Sequence, residues 1–124
     1  MHLPSEIEAI AVIPALRSML ARELLRQGGL NQTQVASLLG VTQAAVSNYM
    51  SGNRGREIVN LSDPRVITRV SGIANSLSGN PDSSVAARGL SDLTDFIRRN
   101  RLMCAIHHDI DPEVEIDLCH ICDE

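Results

Sequence analysis

Residues 32–52 have the sequence QTQVASLLGVTQAAVSNYMSG, a stretch without a single charged side chain. In the chain as a whole 21% of the residues are charged, so a neutral stretch of this length needs a physical reason. Its apolar pattern predicts two short helices, at 32–39 and 43–51, with Gly40 in the turn between them. Thr42 is placed to cap the second helix. The missing charge has to be explained by what these two helices do.

The residues around Gly40 have the chemistry of a helix-turn-helix. A small residue such as Ala36 lets two helices approach closely, and glycine accepts the left-handed conformation of the turn. Val41 and Val46 supply an apolar pair that holds the second helix against the first. The same pattern also fits a plain helical hairpin inside a core, so the outward side chains have to separate the two interpretations.

The outward side chains of the second helix are suited to base edges. Glutamine and asparagine bond adenine through two hydrogen bonds, serine bonds several bases, and alanine contacts the thymine methyl group. A recognition helix places its N-terminal end in the major groove, where acidic side chains would be repelled by phosphate. Affinity must then come from cations beside the helix, such as Arg54 and Arg56. The predicted DNA-binding residues are Gln32, Thr42, Gln43, Ala44, Ser47, Asn48, Asn53, Arg54 and Arg56.

The stretch resembles the lambda-repressor-like helix-turn-helix family, whose motif is matched by Gln32, Ala36, Gly40, Val41, Gln43, Val46, Ser47 and Gly52. The resemblance implies that Gln32 touches the DNA backbone and braces Gln43, and that the protein is a homodimer on double-stranded DNA. The longer runs LPSEIEAIAVIPALRSML and GLNQTQVASLLGVTQAAVSNYMSGNRG are similar to a group of predicted archaeal transcriptional regulators with C-terminal cysteines. That group often has cysteine where this chain has Ser5.

The remaining apolar patterns predict helices at 5–27, 64–78 and 84–103 and no strand, which gives an all-α fold. The first of these helices should present one apolar face, formed by Ile7, Ile10, Ile13, Leu16, Leu20 and Leu24. Ser5 is its predicted N-cap, and Pro14 predicts a kink or a break.

Several glycines and prolines mark the ends of the predicted helices. Gly28 and Gly29 should end the first helix, and Asp63-Pro64 should open the next long one. Gly89 can divide the last helix in two. Apolar stripes at 66–77 and 90–97 fit either the core of one chain or the surface of a dimer.

The charges divide the chain into a mildly basic body and an acidic tail. All 11 basic residues are arginine, and the net charge is +3 over residues 1–107 and −7 over residues 108–124. A nucleic-acid partner and ordinary solvated charge both fit this division. The 124 residues suffice for one compact domain and a small appendage. The predicted parts are a helix-turn-helix domain at 1–58, a helical and possible dimerisation region at 59–103, and a metal-binding tail at 104–124.

The tail contains all three cysteines of the chain. The predicted metal ligands form the pattern C-x2-H…C-x2-C and are Cys104, His107, Cys119 and Cys122. A gap of two residues brings both donors of a pair onto one metal, and the loop between the pairs can close a tetrahedron. His108 and His120 are competing ligands. Structural zinc, an iron–sulfur cluster and an unliganded tail all remain open.

The sequence favours a regulator over other classes of protein. No segment has the length and hydropathy of a membrane span, and free thiols indicate the cytoplasm. Cys104 and His107 could serve as a nucleophile and its base, but the neighbouring Cys-x2-Cys favours ligation, so no enzyme is predicted. The alternative is a zinc or iron–sulfur protein that uses its helices for protein contacts rather than DNA.

Overall fold

The computed structural model describes residues 3–51 and 63–102. Over these residues the chain is all helical and contains no strand, as the sequence predicts. The helices are α1 (Pro4–Ile7), a π-helical segment (Glu8–Val12), α2 (Ile13–Gln27), α3 (Gln32–Leu39), α4 (Gln43–Ser51), α5 (Pro64–Gly79) and α6 (Ser83–Arg99). None of these helices is long and apolar enough to cross a membrane.

The π-helical segment changes which side chains of the first helix are buried. The backbone N–H of Ile13 donates to the carbonyl of Glu8, five residues back, so one extra residue enters the turn. The fully buried side chains are consequently Ile7, Val12, Leu16, Leu20, Ala21 and Leu24. The prediction that Ile10 lies on the apolar face is wrong, because its side chain is 56% exposed. A periodicity that assumes a regular α-helix cannot anticipate this shift.

Pro14 explains why the π-helical segment forms. A proline inside a regular helix has no N–H to donate, and its ring presses on the carbonyl four residues before it. The wider turn at Glu8–Val12 ends directly before α2, whose second residue is Pro14. The helical path therefore continues through Pro14 without the predicted break, and the disturbance appears as a change of hydrogen bonding.

The start of this first helical stretch depends on hydrogen bonds, and its end depends on the backbone conformation of a glycine. The backbone N–H groups of Glu6 and Ile7 donate to the carbonyl of Leu3, and the Leu3 N–H donates to the Glu6 carboxylate at 2.9 Å. Ser5, the predicted N-cap, therefore lies inside α1, and that prediction is wrong. Gly28, with a φ of 82°, ends α2 as predicted.

Helix α2 lies at the centre of the fold, where it contacts α3, α4, α5 and α6. Its carboxylate Glu23 accepts hydrogen bonds from Arg26, from Gln27 at 3.1 Å and from Ser71 of α5 at 3.4 Å. The hydrogen bonds from Arg26 are the main reason that the pKa of Glu23 falls to about 2. This cluster joins α2 to α5 at the edge of their apolar contact.

The apolar stripes of α5 and α6 face the same core as α2 and α3. Val66, Val70 and Leu77 are buried on α5, and Leu93 and Ile97 are buried on α6. A fully buried aliphatic side chain of this size stabilises the fold by about 1.5–3 kcal/mol. The two stripes considered for a dimer surface are thus used inside one chain.

Helix α6 is continuous but shorter than predicted. Gly89 does not divide it; a Cβ atom at Gly89 would lie 3.1 Å from the Ile73 side chain, so the residue lets α5 and α6 approach closely. The helix ends at Arg99, not at 103, because Arg101 takes a positive φ of 59° and the Leu102 N–H donates to the carbonyl of Ile97.

An ion pair joins the last turn of α6 to the π-helical segment. The Arg98 guanidinium lies 3.8 Å from the Glu8 carboxylate. Burial raises the pKa of Glu8, and the charge of Arg98 opposes that shift. The two ends of the described chain therefore meet at this pair.

Candidate nucleic-acid interface

Helix α3 begins with a capping box. The Asn31 side chain accepts a hydrogen bond from the Gln34 backbone N–H at 2.8 Å, and the Gln34 side chain accepts one from the Asn31 N–H at 2.8 Å. Two N–H groups that a helix start leaves unsatisfied are paired in this way. The first residue of α3, Gln32, is held half-buried directly after the cap.

The turn after α3 fixes the direction of α4. Gly40 has φ 69° and ψ 33°, a left-handed conformation that costs side-chain-bearing residues about 1–2 kcal/mol. The N–H of Val41 donates to the Ala36 carbonyl at 3.0 Å, and the Gly40 N–H donates to the Ser37 carbonyl at 3.4 Å. This pair of bonds is a Schellman motif, and Val41 packs against the core as its apolar contact. The predicted role of Gly40 is confirmed.

The inner face of α4 anchors the helix to the core. Val46 is fully buried and Tyr49 is 4% exposed, while Ala45 is partly buried against the same cluster. The Thr42 hydroxyl accepts a hydrogen bond from the Ala45 N–H at 3.0 Å, which confirms its predicted capping role. With the cap and the anchors on one side, the opposite side of α4 is turned away from the core.

The predicted base-reading side chains lie on that outward side. Gln43, Ala44, Ser47 and Asn48 are all exposed. Within the described residues, the side chains of Gln43, Ser47 and Asn48 form no hydrogen bond with the protein. Their donors and acceptors are consequently free to bind an outside partner. The structure brings these residues together on one surface, which we call the α4 face.

Position 32 differs from what the resemblance implies. Gln32 lies at the start of α3 and is half-buried, but no hydrogen bond joins it to Gln43 within the described part of the chain. The bracing of Gln43 by Gln32 is thus absent from the described part of the chain. Gln32 remains a predicted backbone contact.

Two residues of the α4 face were not predicted from the sequence. Met50 is 45% exposed, and Ser51, also exposed, donates its hydroxyl to the Asn48 carbonyl at 3.0 Å. A regular helix advances by about 100° per residue. Around the helix axis Ser51 therefore projects between Ala44 and Ser47, and Met50 projects in nearly the same direction as Gln43, about two turns further along the helix. Continuing the helical periodicity by one turn would have identified both.

The predicted phosphate contacts, Arg54 and Arg56, and the predicted DNA-binding residue Asn53 lie outside the described residues. The same holds for the predicted metal ligands Cys104, His107, Cys119 and Cys122. In the ranges 3–51 and 63–102, no group of three or more His, Cys, Asp or Glu side chains could hold a metal ion. The α4 face is therefore the candidate site that the described structure contains.

Comparison with known families agrees with this geometry. Residues 22–58 match the family model described as helix-turn-helix. The match includes α3, α4 and the turn at Gly40, which are the elements that build the α4 face. No curated protein and no solved structure shows significant similarity to the chain. The protein thus carries a helix-turn-helix segment within an all-helical fold, and such a segment suggests a DNA-binding regulator.

Proposed function

We propose that the protein is a sequence-specific DNA-binding transcriptional regulator. The observation that carries the proposal is the α4 face, on which the exposed side chains of Gln43, Ser47 and Asn48 form no hydrogen bond within the described protein. Recognition helices read bases with side chains of this kind from the major groove. The helix-turn-helix match over residues 22–58 supports the same function.

In this proposal affinity and selectivity come from different residues. The stretch 32–52 is neutral and supplies no attraction to phosphate. Arg54 and Arg56 follow it in the sequence and provide the phosphate contacts, and Asn53 is a further DNA-binding residue. Phosphate contacts hold the protein in register, and base contacts select the sequence.

The proposal is tested by selecting preferred sites from duplexes with a randomised core and then measuring the binding of variants. Replacing Gln43 and Asn48 with Ala should relax base preference while binding to mixed DNA persists. Asn75→Ala, an exposed amide on α5, is the matched control. If the Gln43/Asn48 variant keeps full selectivity, α4 is not the reading helix.

The arginines have a different expected signature. Replacing Arg54 and Arg56 with Ala should weaken binding to all sequences and lower the salt slope by about one for each phosphate that is no longer neutralised. Arg88→Ala, an exposed arginine on α6, is the control. An unchanged salt slope in the double variant would assign the phosphate contacts elsewhere.

We also propose that the tail binds a metal through Cys104, His107, Cys119 and Cys122. The spacing of these ligands supports structural zinc or an iron–sulfur cluster, which would act as a structural or sensing element in the cytoplasm. Metal analysis and visible spectra of protein purified without oxygen distinguish the two. Stoichiometric zinc in a colourless sample indicates zinc, iron in a brown sample indicates a cluster, and the absence of both refutes the site.

The same cysteines keep a second function open, a metal protein that uses its helices for protein contacts. Reversible oxidation and reduction of the protein, combined with no affinity for any duplex, would favour that function. Measurable selectivity for one duplex sequence would favour the regulator. The two outcomes are separated by one binding assay on metal-loaded protein.

A homodimer completes the proposed regulator. Dimers of helix-turn-helix proteins read two half-sites about one helical turn apart. Since the stripes of α5 and α6 are buried in one chain, the dimer contact would use other surfaces. Light scattering of the free protein and of its DNA complex checks the stoichiometry. One copy on each selected site would exclude the dimer.

A further inference from the structure

The α4 face has a composition that bears on which base pairs it can select. Its exposed side chains are two amides, two hydroxyls and two apolar groups, contributed by Gln43, Asn48, Ser47, Ser51, Ala44 and Met50. Serine bonds several bases and discriminates little. The selectivity of the face therefore depends on its amides and its apolar groups.

Helix α4 lacks the side chains that most often select G·C pairs. Guanine is usually recognised by arginine or lysine at its O6 and N7 atoms, and cytosine by a carboxylate that accepts from N4. No Arg, Lys, Asp or Glu occurs in α4, in α3 or in the turn between them. A G·C pair under α4 would meet no side chain of either kind.

The amides of the face are complementary to adenine. Adenine presents an acceptor at N7 beside a donor at N6, and an amide side chain bonds both when its own donor and acceptor are free. Those of Gln43 and Asn48 are free in the described protein. The two residues are five positions apart, which is about 7.5 Å along the helix axis, or roughly two base-pair steps.

The apolar groups of the face are complementary to thymine. The thymine methyl group is the apolar feature of the major groove. Ala44 is exposed, and Met50 is 45% exposed near the other end of α4. Both side chains are therefore accessible to such a methyl group.

We infer that the α4 face selects A·T base pairs, with Gln43 and Asn48 bonding two adenines about two base-pair steps apart and Ala44 and Met50 contacting thymine methyl groups. The inference rests on the proposed function, because it specifies what the same face reads. The DNA segment in contact with α4 is A·T-rich, whatever bases are selected beyond it.

The experiment uses the full chain and the sites obtained by selection. Interference by 7-deazaadenine, which lacks the adenine N7 acceptor, and by N7-methylguanine locates the base pairs contacted in the major groove, and anisotropy competition then measures affinity for duplexes changed at those pairs. Changing an A·T pair under Gln43 or Asn48 to G·C should weaken binding about 5- to 150-fold. Gln43→Ala should abolish this difference at one pair and Asn48→Ala at the other, whereas Asn75→Ala should leave both intact.

Replacing thymine with deoxyuracil removes only the methyl group. Binding should weaken about fourfold for each contacted methyl group. Replacement of one particular thymine should no longer weaken binding by the Met50→Ala variant. A purely structural role of Met50 would not produce this result.

The outcomes separate this inference from the proposed function. Selective sites with G·C pairs under α4, or variants of Gln43 and Asn48 that still discriminate at those pairs, overturn the inference and leave the regulator standing. Equal affinity for all duplexes overturns sequence-specific reading by α4. An absence of duplex binding refutes the regulator and the inference together.

Discussion

The first helical stretch and the α3–α4 pair both present apolar side chains in a helical pattern, but their structures follow that pattern to different degrees. In α3 and α4 the predicted inward residues Ala36 and Val46 are buried. In the first stretch Ile10 matches the pattern equally well and is 56% exposed. The difference shows that an apolar period identifies buried residues only where the backbone hydrogen bonds are regular.

The cause of the difference is local. The α3–α4 pair places its single irregularity in a turn, at a glycine that accepts the required conformation. The first stretch contains its irregularity within a helix, where Pro14 is accommodated by the π-helical segment before it. Each of the following predictions tests one side of this comparison.

The largest effect is expected from two identical substitutions in the first stretch. Ile7→Ala should lower the free energy of unfolding by about 2–5 kcal/mol, because it removes a fully buried side chain. Ile10→Ala, three residues later, should change it by less than about 0.5 kcal/mol, because that side chain is exposed. Urea unfolding of both variants measures the difference. Equal losses of unfolding free energy in the two variants would instead indicate a regular α-helix with Ile7 and Ile10 on the same buried face.

Two glycines test the turn against a regular helix. A Cβ atom at Gly40 or at Gly72 would meet nothing within 4 Å, but only Gly40 has a positive φ. Gly40→Ala should therefore destabilise the fold by about 1–2 kcal/mol. Gly72→Ala, inside α5, should stabilise it by up to about 1 kcal/mol. Thermal unfolding of the two variants gives the sign of each stability change. A stabilising effect of Gly40→Ala would contradict the left-handed turn.

The capping box at the start of α3 should contribute less. Asn31→Ala removes the acceptor of the Gln34 N–H and should cost about 1 kcal/mol. Asn31→Asp keeps an acceptor at this position and should stay close to the wild type. Chemical unfolding compares the three proteins. If the aspartate variant is destabilised as much as the alanine variant, the side-chain acceptor is not what stabilises this helix start.

The smallest effect concerns Glu23 and depends on pH. Its folded-state pKa of about 2 lies below the ordinary 4.5, so its stabilisation is present above the ordinary value and is lost as the pH falls from 4.5 towards 2. Because the Arg26 side chain is 70% exposed, this stabilisation should be below about 1 kcal/mol. The free energies of unfolding of Glu23→Gln and of the wild type should differ at pH 4.5 and above and become equal as the pH approaches 2. Asp92→Asn is the exposed control.

The bounds of α3 and α4 were predictable because their signals are local. The predicted spans 32–39 and 43–51 are the observed helices, since Gly40 and Thr42 mark the turn between them by their own chemistry. The outward positions of the α4 face followed from the same period. Ser51 and Met50 were missed only because the period was not carried to the end of the helix.

Other features depend on contacts that a linear pattern does not contain. The π-helical segment accommodates Pro14, although Pro14 itself lies in the following helix. Helix α6 ends where Arg101 takes a backbone conformation that arginine rarely adopts. The burial of both apolar stripes depends on α5 and α6 packing against α2 and α3. The predicted domain boundaries and metal ligands stay predictions.

The last turn of α6 is held by three interactions. Ile97 is buried, the Leu102 N–H donates to the Ile97 carbonyl, and Arg98 pairs with Glu8. A helix turns by about 100° for every residue inserted or removed. A single insertion or deletion in α6 before Ile97 would therefore turn this side chain away from the core and move Arg98 away from Glu8. The exposed side chains of α6 can be replaced without this effect, whereas its length is constrained by the contacts of its last turn.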